Sequence, residues 1–210
     1  MTLVELLVVL AVIFILLCML MAGLPRRRPP IPIQCVNNLK QVGLAFRVWE
    51  GDHGDNYPMA VSATNGGSME FITGANAFRT YQVMSNELST PKVLFCPQET
   101  DRHRFLATND FFYLNNSNIS FFVGIVPNET KAMMILSGDH NLTNGTPRRN
   151  GLLSLTTNTP AGWTEKMHNK VGNILLNDGS VQHVSISGLR SIVENTGVPT
   201  NRLQMPILSP

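Results

Sequence analysis

Two short pieces of the chain carry the residue types of a reactive site. His168 precedes Asp178-Gly179, and Asp139-His140 lies upstream of both. A carboxylate beside an imidazole can orient a general base or help bind a metal ion. His168 and Asp178 could meet across the start of a hairpin. The competing reading is that His168 bonds to backbone and Asp178 only shapes the turn. Asp139, His140, His168 and Asp178 together supply the ligands of a hydrolase-like metal cluster, although no spacing demands one. Loop oxygens of Asp139, Asp178 and nearby asparagines would suit calcium, but no calcium-loop pattern is present. The expectation is therefore no cofactor, with calcium as the ion weighed against it.

The cysteines are Cys18, Cys35 and Cys96. None forms a C-x-x-C pair, which argues against a zinc site. A Cys35–Cys96 disulfide and two separate thiols remain equal alternatives, because sequence does not fix the distance between them. Cys18 lies in an apolar run and reads as a small buried hydrophobe. There is no P-loop, no G-x-S-x-G and no G-x-G-x-x-G. With 16 basic and 14 acidic residues the net charge is +2. That is too small a field to suggest a nucleic-acid partner.

These residues need elements to position them. "CVNNLKQVGLAFRVW" places Val36, Leu39, Val42, Phe46 and Trp49 at spacings of three and four, which predicts an amphipathic helix ending near Gly51. A second helix is expected in "ANAFRTYQVMSNEL". Strand-like runs follow at 92–96, 120–126, 132–137, 152–156, 173–177 and 181–187. The last two are joined by Asp178-Gly179, a strong hairpin signal. Ser187 reads as the cap of a short helix around Leu189, Ile192 and Val193. Helices followed by a mostly antiparallel sheet give an α+β domain.

The start is different. Residues 6–24 carry no charge and would span roughly 28 Å as a helix, which predicts a membrane-spanning segment. Glu5 then needs a cation, and a neighbouring chain's amino terminus would supply one. "PRRRPPIPIQ" follows, and its prolines predict a break in the helix between Pro25 and Pro32. The expected organisation is a membrane or filament-core helix over 1–24, a Pro/Arg-rich linker over 25–33, a head over 34–197 and a tail over 198–210.

"MTLVELLVVLAVI" resembles the N-terminus of type IV prepilins and type II secretion pseudopilins. His168 with Asp178-Gly179 matches the H-x9-DG spacing of a large prepilin-type subfamily. The resemblance implies a pilin-like fold, with an N-terminal hydrophobic transmembrane helix ahead of the α+β head. It implies processing and N-methylation at Met1, and subunit docking through Glu5. It further implies a single-pass inner-membrane protein whose head is periplasmic or extracellular. Its partners would be like or related pilin subunits, the prepilin peptidase, and the secretion or pilus assembly machinery. The function expected is that of a structural subunit without catalysis. The alternatives are a membrane-tethered binding module and a metal-dependent enzyme using His140, His168 and Asp178.

Overall fold

The computed structural model describes residues 2–22, 31–125, 133–146 and 150–208. The chain divides into two compact units, Met1–Pro30 and Ile31–Pro210. In the first, α1 spans Leu3–Ala22. Its turn is closed by a capping box: the Thr2 N–H donates to Glu5 Oε2 at 2.7 Å, and the Glu5 N–H donates to Thr2 Oγ1 at 3.4 Å. Cys18 on this helix is a free, exposed thiol rather than a buried one.

Among the described residues no helix is long and apolar enough to cross a membrane. Glu5 sits in the first turn of α1, and the uncharged stretch behind it, residues 6–22, is roughly 25 Å long. A bilayer core needs roughly 30 Å. This overturns the expected transmembrane helix. With it fall the prepilin or pseudopilin identity, the pilin-like fold and the single-pass inner-membrane placement. The partnership with pilin subunits, prepilin peptidase and secretion machinery falls as well. Met1, the expected methylation site, and most of the expected linker lie outside the described residues.

The second unit is an α+β domain. Its long helix, α2, spans Ile31–Asp52. Pro32 falls in the first turn, where its missing N–H leaves no helical bond unmade, so the helix begins inside the expected linker. Short helices α3, Ala77–Val83, and α4, Ser85–Leu88, follow. The stretch expected as a strand at 92–96 is instead a 3-10 turn, Pro91–Leu94. Pro91 cannot donate to a strand ladder, and the Thr90 hydroxyl accepts from the Lys92 N–H to start the turn.

Among the described residues eight strands complete the unit. They are β1 (Phe121–Gly124), β2 (Ile135–Asp139), β3 (Leu142–Thr143), β4 (Leu152–Leu155), β5 (Gly162–Trp163), β6 (Gly172–Leu176), β7 (Val181–Val184) and β8 (Asn201–Gln204). Six form one antiparallel sheet in the order β4-β8-β1-β2-β6-β7, and β3 pairs with β5 apart from it. Residues 198–210, set apart as a tail by the sequence, thus supply β8 between β1 and β4. Helix α5, Ile186–Asn195, starts one residue before the expected cap: Ser185 accepts from the Gly188 N–H.

Strand periodicity sorts the core into two layers. Phe121, Val123, Leu136 and Leu175 join the apolar stripe of α2, made by Cys35, Leu39, Val42, Phe46 and Trp49. Phe122, Ile135, Ile174 and Leu176 face the other way, toward Leu189, Ile192 and Val193 of α5. Gly43 lets α2 lie close to the sheet, since a Cβ there would stand 2.7 Å from Leu175 Cδ1. Tyr81 is fully buried in the α2 layer and donates to the Phe122 carbonyl at 3.0 Å. Burial pushes its phenol pKa up.

Candidate disulfide and histidine site

Cys35 lies on the sheet-facing side of α2, and Cys96 follows the Pro91–Leu94 turn. Their sulfurs are bonded at 2.07 Å, with both residues fully buried. The Asn38 amide, one helical turn on, donates to the Phe95 carbonyl at 2.9 Å and ties the same two segments.

His168 comes to this disulfide from the β5–β6 loop. Its Nε2 stands 3.5 Å from Cys96 Sγ and 3.2 Å from Asp139 Oδ2. The loop is unusual: Met167, Asn169 and Lys170 all hold positive φ, at 62°, 53° and 65°. Such backbone costs on the order of 1 kcal/mol or more per residue and clusters at functional sites.

The sheet holds the carboxylate. Asp139 ends β2, beside the point where Gly138 pairs with Ile174 of β6. Asn173 is the next residue back on β6. Its backbone N–H and its side-chain amide donate to Asp139 Oδ2, at 2.7 and 2.8 Å. Across the next ladder rung His183 on β7 is the register partner of Asn173 and donates from Nδ1 to Asn173 Oδ1 at 2.8 Å. Asp139, Asn173 and His183 thus cross three neighbouring strands. Asp139 is fully buried, and among the described residues its Oδ1 has no hydrogen-bond partner. A buried carboxylate oxygen without a donor is costly, so this wall of the site is built for charge rather than for stability alone.

Asp178 is elsewhere. It is exposed at the β6–β7 turn, where its Oδ1 accepts from the Ser180 N–H at 2.8 Å, and Gly179 takes φ +85°. His168 precedes β6 and Asp178 follows it, so a five-residue strand of roughly 17 Å separates them. Asp139, not Asp178, is the carboxylate that His168 meets.

His140 joins a second buried pair. Its Nε2 lies 2.8 Å from Glu99 Oε2, which also accepts from the Ser120 hydroxyl at 2.9 Å. The other Glu99 oxygen accepts from the backbone N–H groups of Thr100 and Asp101. Arg104 Nε stands 3.8 Å from Glu99. Burial alone would raise the Glu99 carboxyl. The hydrogen bond and charge of His140, with the Asp101 N–H and the Ser120 hydroxyl, outweigh it and hold the carboxyl below its ordinary range.

Asp139 and His140 are adjacent in sequence, at and just past the end of β2, yet they serve different sites because successive positions of an extended chain face opposite ways. Glu99, Asn173 and His183 had no distinguishing spacing in the sequence. Only Asn173 left a trace, as a polar residue two positions before the core residue Leu175 on a buried strand.

Among the described residues, Cys35, Cys96 and His168 form a buried group whose donor atoms lie within 4.8 Å of one another. This corrects the expectation that the chain is purely structural and without catalysis. With the sulfurs bonded to each other, the group fits a redox site. With the sulfurs reduced, it offers two thiolates and an imidazole, donors of the kind zinc prefers. No family model, no curated protein and no solved structure matches the chain.

Proposed function

We propose that Cys35 and Cys96 are a redox-active couple and that the chain acts through thiol–disulfide exchange. The observation that carries this reading is the approach of His168 Nε2 to Cys96 Sγ at 3.5 Å, with Asp139 Oδ2 at 3.2 Å from the same nitrogen. A disulfide that serves only as a staple has no need of a buried imidazole on one sulfur.

The chemistry follows from the asymmetry. A reductant thiolate attacks Cys35 Sγ, and the electron pair of the breaking S–S bond passes to Cys96 Sγ. The His168 Nε2–H donates to the new thiolate, and Asp139 stabilises the imidazolium that this requires. The second thiol of a dithiol reductant then displaces Cys35. The reductant leaves as a disulfide, and the protein holds two electrons and two protons more. Both cysteines are fully buried, so exchange passes through a local opening.

A second reading rests on the donor grouping itself. In the reduced state Cys35, Cys96 and His168 would hold a soft divalent ion such as zinc, a Lewis acid when bound. Oxidation would exclude it, since each sulfur would then be bonded to the other.

The test is reduction of the folded protein by dithiothreitol, with thiols counted by alkylation and mass analysis. We expect two thiols to appear and disappear reversibly while the circular dichroism of the fold persists. Reduction that always unfolds the chain refutes the proposal. Stoichiometric zinc in the reduced form alone supports the metal reading.

A further inference from the structure

The disulfide chemistry proposed above uses His168 and Asp139 but gives no work to the polar residues that reach them from the edge of the sheet. β7 is the outer strand of the six-stranded sheet, and His183 on it is exposed. Asn173, its register partner on β6, is fully buried. The neighbours of the Asn173 amide fix its orientation. One terminal atom stands 2.8 Å from Asp139 Oδ2, and a carboxylate oxygen only accepts, so that atom is the nitrogen. The amide oxygen then faces His183 Nδ1 at 2.8 Å and also only accepts, so Nδ1 carries a proton. The Asn173 nitrogen is 3.4 Å from His168 Nε2 as well, and the two histidine rings lie edge to face with centroids 6.2 Å apart. A line of polar contacts thus runs from an exposed imidazole through Asn173, Asp139 and His168 to Cys96 Sγ.

A neutral amide is a poor proton carrier, so this line orients groups rather than conducting protons. We infer that His183 is a positioning residue for the disulfide chemistry, acting on His168 through Asn173 and Asp139; the inference rests on the redox reading of Cys35 and Cys96. The His183 N–H occupies Asn173 Oδ1 and keeps the amide nitrogen on Asp139 Oδ2. There the amide N–H favours the ionised carboxylate. That carboxylate in turn supports the imidazolium facing the Cys96 thiolate. Once His183 no longer donates, a buried Asn173 Oδ1 has lost this partner. The amide then gains by turning toward another donor, which draws its nitrogen away from Asp139. The reduced state becomes less favoured.

Redox equilibration of the full chain in glutathione buffers at one pH tests this, with thiols counted by alkylation and mass analysis. His183→Leu fills the position without a donor, and His183→Gln restores an N–H. The reduction constant should fall about threefold or more for His183→Leu and stay within about twofold of native for His183→Gln. In a His168→Gln background, His183→Leu should change nothing further, because the group it acts through is gone. An exposed position on an edge strand tolerates such changes, and circular dichroism checks the fold. His183→Val carries the same prediction should the leucine variant not fold. An unchanged constant in the donorless variants overturns the inference. So does an equal loss in His183→Gln, or the same loss in the His168→Gln background, since either marks a merely structural role. A constant that ignores His168→Gln refutes the redox reading and this inference together. A response to His168→Gln with none to His183→Leu refutes this inference alone.

Discussion

His168 and Glu99 each anchor one of the two buried pairs, and each has a measurable signature. If His168 acts on Cys96 in the reduced protein, His168→Gln should change the rate at which iodoacetamide alkylates Cys96 while leaving the Cys35 rate as it was. Equal Cys96 rates in the two proteins remove the pairing. Glu99 has a depressed folded-state pKa, so its contribution to stability is complete above the unfolded value of 4.5 and is lost as pH falls through the folded one. Thermal melts below about pH 4.5 should therefore fall steeply for the native chain. Glu99→Gln should flatten that acid limb while lowering stability at neutral pH, because its amide cannot replace a carboxylate facing His140. His168 and Asp139 were both singled out by residue type in the sequence, but their pairing was not legible. Asp178 stood at a suggestive spacing in one dimension, whereas Asp139 is brought close only by the β2–β6 pairing.

At the scale of elements, the sequence showed what depends on local period. The stripe from Leu39 to Trp49 gave α2, and short apolar runs marked most strands of the sheet. It misread 92–96 because an apolar run looks the same in a strand and in a buried turn, and Pro91 decided the matter. It misread 198–210 because a short strand inserted between β1 and β4 has no local signal beyond four residues. The disulfide joins α2 to the 91–96 segment across 61 residues. On the loop-entropy argument, Cys35→Ser with Cys96→Ser should cost about 4 kcal/mol, read as a lower denaturant midpoint. Phe46→Ala should cost about 3–5 kcal/mol, because the ring is fully buried against Tyr57 and Tyr81 and leaves a cavity. A loss below about 1 kcal/mol at Phe46 would mean that the α2 layer is not the core described.

For the whole molecule, the informative step was the failure of the strongest sequence signal. The T-L-V-E-L-L start matched a well-known pattern, and an apolar run behind it completed the picture. In the structure the Thr2–Glu5 pair closes the first turn of α1, which is a sufficient local reason for that acid. No described helix reaches membrane-crossing length and apolarity. The reactive groups instead lie inside the second unit, where three strands, one loop and one helix converge. That unit holds both core layers, so a chain of residues 31–210 should unfold in one cooperative transition with the disulfide intact.

The central claim is that His168 sets the redox poise of the Cys35–Cys96 pair, and an equilibrium titration in defined thiol–disulfide buffers measures that poise directly. The account predicts a reversible two-electron midpoint above about −300 mV for the native chain. It predicts a midpoint lower by about 30–60 mV for His168→Gln, equivalent to one charge-assisted hydrogen bond to the thiolate. A midpoint below about −300 mV that does not move on this substitution would contradict it and leave the disulfide a staple.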